Sequence, residues 1–536
     1  MATTENHAGG VRRIPQRRDT TYQFPVYRWL SWLAIAGYAI GLGCMYLLMG
    51  MFGIPAPIGW AALVFLFCVG IALLDRPKTL LTAMMFYFLL MPGNRLFGLL
   101  GLPLPGFIDE LFFIPFIAVI VMNWIQRSEM PDGLWFPMAF MGVAALSWYV
   151  NGKPSPFTTV QVTLIMLKFY IIWYFCRLTC TFDRQGDFWK WGLGYIYYAA
   201  AQFLYNCLWQ RAPWPRFHPD YSGGVFGPDA KAAHVVGYIS VLALYLLAGW
   251  WVGPGRKATK RMRFWMLFVG IVIAYDAIFM TDTKHGVMLM PLAFLPFLFH
   301  GSIPVRFRMS LLFGGGVFTL AMILFLGSTT GVLQLRKVGQ RFVDSPKGDA
   351  YLAVTRDFSY LVPYPVLGAG PGRFFSGQAK DAGAPLARRY VIPYEDEAER
   401  AHILHQMAAR TGSSVLAWPQ CGFLTLMGEF GWLGTGAYMA FWAWVFAKLW
   451  SKARKGLHKP ELAGVYLGLA CGVVYLAMLQ FINNTESVPC LMFPWWMLIG
   501  RIWDISDVQW KTGGNAAIEA DGGAGEMPAS SSLAEE

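Results

Sequence analysis

The sequence predicts an all-α protein: a polytopic transmembrane helical bundle of about 12–14 spans, with one large loop that carries short helices of its own. Three observations predict it. Of the 536 residues, 56% are hydrophobic, 16% aromatic and only 14% charged, whereas a soluble globular chain carries roughly 25% charged residues. The apolar residues gather in runs of about 20, the length that crosses roughly 30 Å of hydrocarbon as a helix. Short alternating segments, the mark of a transmembrane barrel, do not recur. Of the eight cysteines, Cys44, Cys68, Cys176, Cys180, Cys207 and Cys471 fall inside apolar runs, and Cys421 and Cys490 show no paired spacing. Neither a disulfide framework nor a zinc motif follows.

Taken in order, residues 1–28 are polar and include Arg12, Arg13, Arg17 and Arg18. The apolar run after them lacks a small-residue cleavage site, so it reads as a retained first span rather than a signal peptide. Spans are expected at 29–49, 58–75, 79–92, 107–126, 134–150, 157–177, 188–209, 233–253, 264–281, 286–300, 309–327, 420–447, 461–483 and 489–503. The chain thus divides into a cytoplasmic tail (1–28), a first part of the bundle (29–327), a large loop (328–419), a second part of the bundle (420–503) and a C-terminal tail (504–536). That last tail is rich in Gly, Ala, Ser and Glu and buries too little apolar surface to fold.

The net charge of +12 would suit nucleic acid, but its placement speaks for topology. Lys and Arg resist translocation. With the N-terminus inside, the cytoplasmic segments hold 25 Lys and Arg and the short outside loops hold six, Arg95, Lys153, Arg211, Arg216, Lys231 and Lys284. Both termini are therefore expected in the cytoplasm and loop 328–419 in the periplasm, with no nucleic-acid partner.

Candidate chemistry lies on the expected outside face. Loop 328–419 is too long for a mere connection and carries eleven Lys and Arg, among them Arg341, Arg356 and Arg373. Most of these are expected on a solvated surface balanced by acids such as Asp344, Asp357 and Glu397, and a few are expected to face an anionic ligand. Pro365 to Phe374 (PVLGAGPGRF) reads as a tight turn. In such a turn glycines let backbone N–H groups approach an anion, and Arg373 adds a charged fork. Without the Lys-Ser/Thr ending it is not a nucleotide loop.

Glu395 to Arg410 (EDEAERAHILHQMAAR) has the composition of a helix and brings Glu399, His402 and His405 onto neighbouring faces. A His pair at i and i+3 moves a proton or, with a third ligand, holds a metal; a surface pair is the plainer reading, and no metal is expected. Arg211 to Lys231 mixes aromatic rings with Arg211, Arg216 and Lys231, a composition suited to a sugar stacked beside an anion. Thr281-Asp282-Thr283-Lys284-His285 offers Lys284 at the same face. Within the spans, Lys168 and Asp276 each need partners or a wet cavity, and a mutual pair is one arrangement that supplies them.

The order of these motifs resembles the O-antigen ligase and O-antigen polymerase superfamily of bacterial envelope glycosyltransferases. The similarity runs from about 225 to 436. Gly227-Pro228-Asp229 stands for the family's Gly-Pro-Asn; Thr281 to Gly286 for its Ser/Thr-rich turn with a basic residue; Pro365 to Phe374 for its glycine turn in the large loop; and Glu429, Gly431 and Gly434 for the Glu-x-Gly-x-x-Gly that opens the next span. Two departures stand out. Gln420-Cys421 occupies the place of the family's His-Asn pair, and Lys284 that of its turn arginine.

The resemblance implies an inner-membrane enzyme that needs no cofactor. It would transfer a glycan with inversion from an undecaprenyl-pyrophosphate carrier to an acceptor glycan on the periplasmic side. Arg211, Arg216, Lys231, Lys284, Arg341 and Arg373 would bind pyrophosphate and glycan. Glu399, His402 or His405 would take the acceptor proton, and Glu429 is a further catalytic candidate, or a brace where its neighbouring glycines pack closely. Its expected partners are the two glycans, the bilayer and other polysaccharide-assembly proteins. Among family activities the sequence favours a polymerase, because the ligase's His is absent and the loop has room for two glycans. A ligase acting on a lipid A core or protein acceptor, a polysaccharide or lipid flippase, and an inactivated scaffold are the competing readings.

Overall fold

The computed structural model describes most of residues 132–208, 222–313, 346–376, 421–455 and 460–503, with helical residues scattered between 81 and 124. Of the described residues, 83% are helical and none lies in a strand. From residue 132 onward the described chain forms five long helices, α1 (Trp135–Val150), α2 (Pro156–Thr179), α3 (Gln185–Leu208), α4 (Ala230–Val252) and α5 (Lys260–Tyr275). They are followed by α6 (Lys284–Ala293), α7 (Leu295–Phe299), α8 (Pro346–Thr355), α9 (Phe358–Leu361) and α10 (Gly422–Thr425). The last described elements are α11 (Gly431–Lys455), α12 (Pro460–Leu479) and α13 (Pro489–Ile502). A π-helical turn at Asp276–Met280 ends α5, and a second at Leu426–Phe430 joins α10 to α11.

Pro156–Thr179, Ala232–Val252, Lys260–Met280 and Glu461–Leu479 are long and apolar enough to cross a membrane, and Trp135–Val150 and Gly286–Phe299 are shorter apolar helices. Seven of the expected spans coincide with single helices to within a few residues; two do not. The span expected at 286–300 breaks at Phe294 into α6 and α7, because Pro296 has no N–H to give the carbonyl four residues back. The span expected at 420–447 starts as α10, widens into the π-turn and resumes as α11 after Gly431, whose φ is +64°. Expected spans 29–49 and 58–75, most of 79–92, 107–126 and 309–327, and both tails lie outside the described residues.

The core is aromatic. Trp173, Trp442, Trp495 and Trp496 are fully buried, and Trp442 meets Trp496 edge to face at 5.0 Å, the favoured arrangement of ring quadrupoles. Helices α4 and α12 approach at their glycines: a Cβ on Gly249 would lie 2.4 Å from the Gly464 carbonyl oxygen. Small residues permit this backbone contact, and dispersion across it holds the pair.

Candidate functional site

The glycine turn is built from residues that few side chains could replace. Gly368, Gly370 and Gly372 have φ of +77°, +101° and +78°, a left-handed region that L side chains adopt only with strain. The turn lies on the π-helical turn that carries Glu429. Ala369 N–H donates to Gly428 O at 2.8 Å, Gly370 N–H to Glu429 O at 3.1 Å, and Leu433 N–H to Val366 O at 3.1 Å. Helix α1 clamps the junction from the side: Asn151 Nδ2 donates to Gly368 O at 3.0 Å and Ser147 Oγ to Glu429 O at 3.4 Å.

Beneath the turn the Glu429 side chain is fully buried. Its Oε2 accepts from Gly372 N–H at 2.7 Å, and its Oε1 accepts from Phe374 N–H at 3.3 Å and Ser376 N–H at 2.8 Å. An isolated buried carboxylate costs many kcal/mol, so these three donors, together with the Ser376 side chain, are what allow it to stay there. The sequence reading aimed the turn's N–H groups at a ligand. That expectation is corrected for these three: the anion they enclose is the chain's own Glu429. A π-turn inserts an extra residue and redirects a side chain, which here points the carboxylate into the loop.

Arg373 leaves the turn toward the corner between α1 and α2. It is half-buried, and a Cβ on Gly152 would lie 3.8 Å from its Nη2. Among the described residues it forms no ion pair. Arg356, the other loop arginine whose side chain is described, is balanced as expected by Asp357, with Nε 2.7 Å from Oδ1; the guanidinium beside Asp357 in turn holds that carboxyl below its ordinary range.

A belt of polar contacts runs from this turn across the same end of the bundle. Cys421 Sγ caps α10, accepting from Leu424 N–H at 3.4 Å, and lies 3.4 Å from the Tyr351 hydroxyl, which donates to Phe481 O. Burial, and behind it the Cys421 thiol, push that hydroxyl above its ordinary pKa. Gly422 N–H donates to Asn483 O at 3.2 Å, and Asn483 Nδ2 donates to the Tyr238 hydroxyl. One residue before Tyr238, Gly237 lets Thr281 and Thr283 close in: a Cβ there would lie 2.3 Å from Thr283 Cγ2. Thr283 Oγ1 donates to Ala277 O at 2.9 Å.

The belt ends at Asp276, which is fully buried in the first π-turn. Its carboxylate accepts from Ser240 Oγ at 3.0 Å and Asn206 Nδ2 at 3.3 Å, and Asn206 Oδ1 accepts from Gly224 N–H at 2.7 Å. The expected pairing of Asp276 with Lys168 is therefore corrected. Asp276 faces α3 and α4, while Lys168, buried on α2, places its Nζ 5.9 Å from the centre of the Phe113 ring.

Among the sequence candidates, Glu429 and Arg373 belong to one junction, between the π-turn and the glycine turn, and Lys231 and Lys284 stand in the first turns of α4 and α6 at the same end of the bundle. Arg211, Arg216, Arg341, Glu399, His402 and His405 lie outside the described residues. Sequence reasoning missed Ser147, Asn151 and Ser376 around Glu429, and Asn206 and Ser240 around Asp276. The signal available for the first pair was their i, i+4 spacing on an otherwise apolar helix. Among the described residues no cluster of His, Cys, Asp and Glu is placed to hold a metal ion. No family model and no curated protein matches the chain.

Proposed function

We propose that this protein is an integral membrane glycosyltransferase that polymerises undecaprenyl-pyrophosphate-linked oligosaccharides at the periplasmic face of a bacterial inner membrane. One observation carries the reading. Segments far apart in sequence that bear the family resemblance meet at one end of the bundle: the glycine turn sits on Glu429, and Thr281 and Thr283 join the same belt through Gly237. The turn that leads into Gly227-Pro228-Asp229 hangs from the belt's far end through Gly224.

In the reaction, the acceptor sugar's hydroxyl oxygen attacks the anomeric carbon of the lipid-linked glycan. The bond from that carbon to the phosphate oxygen breaks, and the pyrophosphate leaves with its electron pair. Arg373 is the described cation suited to that growing charge, since a charge-assisted bond contributes about 1.5–3 kcal/mol. Glu429 acts here by positioning: its carboxylate fixes the backbone from Gly372 to Ser376, and with it the base of the Arg373 side chain. The hydroxyl proton goes to a base from Glu399, His402 or His405, which typically contributes 10²- to 10⁴-fold.

The test is purified protein in lipid with a defined undecaprenyl-pyrophosphate oligosaccharide. Longer lipid-linked chains are expected from the wild type and are lost in Arg373→Ala, which should still fold. Product found only on an added lipid A core or protein acceptor would make the protein a ligase. A flippase is the second reading, favoured by the fully buried Asp276 within the bundle. Movement of the lipid without transfer, abolished by Asp276→Asn and not by Arg373→Ala, would establish it.

A further inference from the structure

The corner between α1 and α2 faces the glycine turn through Asn151 and Gly152. Asn151 already holds Gly368, and Gly152 lies against the Arg373 guanidinium. The next residue, Lys153, has φ +55° and is the one non-glycine residue at positive φ among the described residues. A lysine kept in a left-handed conformation is strained, where glycine or asparagine would be relaxed. Its exposed side chain folds back so that Nζ lies 4.9 Å from the centre of the Tyr149 ring. Neither Lys153 nor Arg373 has a carboxylate partner among the described residues. Glu429, beneath the turn, is occupied by three backbone N–H groups.

Arg373 thus lies against the residue that precedes Lys153, and among the described residues neither cation is balanced by an acid. Like charges brought together repel and must be held by the fold, and they are relieved by an anion that spans both. A diphosphate offers two linked phosphoryl groups, one for a planar guanidinium and the other for an ammonium on a flexible stem. We propose that Lys153 and Arg373 form a two-point seat for a diphosphate group, with Lys153 leaving the Tyr149 ring to close on it. The seat rests on the transferase reading only for which diphosphate fills it. The anion chemistry stands by itself.

The experiment measures binding of farnesyl diphosphate and of inorganic diphosphate to the full-length protein in nanodiscs, in parallel with binding of the protein to phosphatidylglycerol nanodiscs. Lys153→Asn suits the backbone better than lysine and removes the charge, while Lys153→Arg keeps the charge. Affinity for both diphosphates is expected to fall about ten-fold or more in Lys153→Asn and in Arg373→Gln, and to be kept within a few-fold in Lys153→Arg. Unchanged affinity in Lys153→Asn, equal losses in the Asn and Arg variants, or no diphosphate binding by the wild type would each overturn the seat. So would an effect confined to phosphatidylglycerol, which would make the corner a bilayer contact. Charge-dependent diphosphate binding without any glycan transfer would keep the seat and remove the transferase. Transfer with unaltered diphosphate affinity in Lys153→Asn would do the reverse.

Discussion

Two regions of this bundle solve one problem in different ways. Each ends or interrupts a long helix with a π-turn, and each π-turn carries an acid with no solvent exposure, Asp276 in one and Glu429 in the other. Asp276 is satisfied by side chains of two neighbouring helices, Ser240 and Asn206. Glu429 is satisfied by main-chain N–H groups of a loop that reaches it from more than fifty residues away. Side-chain donors bind an acid to a particular pair of helices and can be exchanged one at a time. Main-chain donors bind it to a particular backbone path, so that residues along the path matter for their conformation rather than their chemistry. The first arrangement fastens helices together; the second fixes a loop, and with it the functional candidate Arg373.

Removing each acid tests that difference most severely. Glu429→Ala strands three buried N–H groups that cannot turn away, a loss on the order of 5 kcal/mol at about 1–3 kcal/mol per group. Asp276→Ala strands Asn206 Nδ2, while the Ser240 hydroxyl can rotate to a helix carbonyl, so about 2 kcal/mol is expected. Thermal unfolding of the protein in detergent should show the first variant unfolding well below the second. Equal shifts would mean that the loop does not depend on its carboxylate.

Glycines sharpen the contrast at the next level. Adding a Cβ at Gly368 places it 2.6 Å from the Glu429 carbonyl carbon and 2.6 Å from Gly431 N, both main chain, at φ +77°. Left-handed strain of about 1–2 kcal/mol adds to overpacking of about 1–3 kcal/mol that no rotamer relieves. At Gly237, beside the Asp276 region, the obstacles are Thr283 Cγ2 at 2.3 Å, Thr283 Oγ1 at 2.4 Å and Thr281 Oγ1 at 2.6 Å, all side-chain atoms rather than main chain. Gly368→Ala should therefore destabilise by about 3 kcal/mol and release the turn to limited proteolysis, and Gly237→Ala by about 1–2 kcal/mol with the turn still protected. A turn that resists proteolysis equally in both variants would count against the backbone account.

These two regions were not equally readable in the sequence. Hydropathy found most helices because an apolar run of the right length has one cheap solution in lipid, and it missed the break at Phe294 because hydropathy counts side chains and not backbone donors. Both halves of the Glu429 junction were visible, one as a glycine-rich turn and the other as Glu429, Gly431 and Gly434. Their meeting was not, since a main-chain N–H leaves no mark of its partner in residue identity and the contact spans 57 positions. Asp276 announced itself as a charge within a span. Its true partners are a serine and an asparagine that look ordinary at 36 and 70 positions away, whereas Lys168 looked like the electrostatic answer.

The mildest change asks whether the two acids act as separate fasteners. Glu429→Gln keeps one acceptor oxygen for Gly372 to Ser376 but turns an amide against the remaining donors, and Asp276→Asn meets two polar groups that can reorient. Single losses of about 2 and about 1 kcal/mol are expected. The belt between the two acids passes through Gly422, Asn483, Tyr238 and Gly237, yet neither carboxylate shares a donor with the other. Contacts without a shared partner usually couple by no more than about 0.5 kcal/mol. The double variant should then lose the sum of the single losses within that margin in the same unfolding assay. A coupling of 1 kcal/mol or more, on the order of that between directly contacting residues, would show that the belt transmits between them, and that loop and helix end respond together.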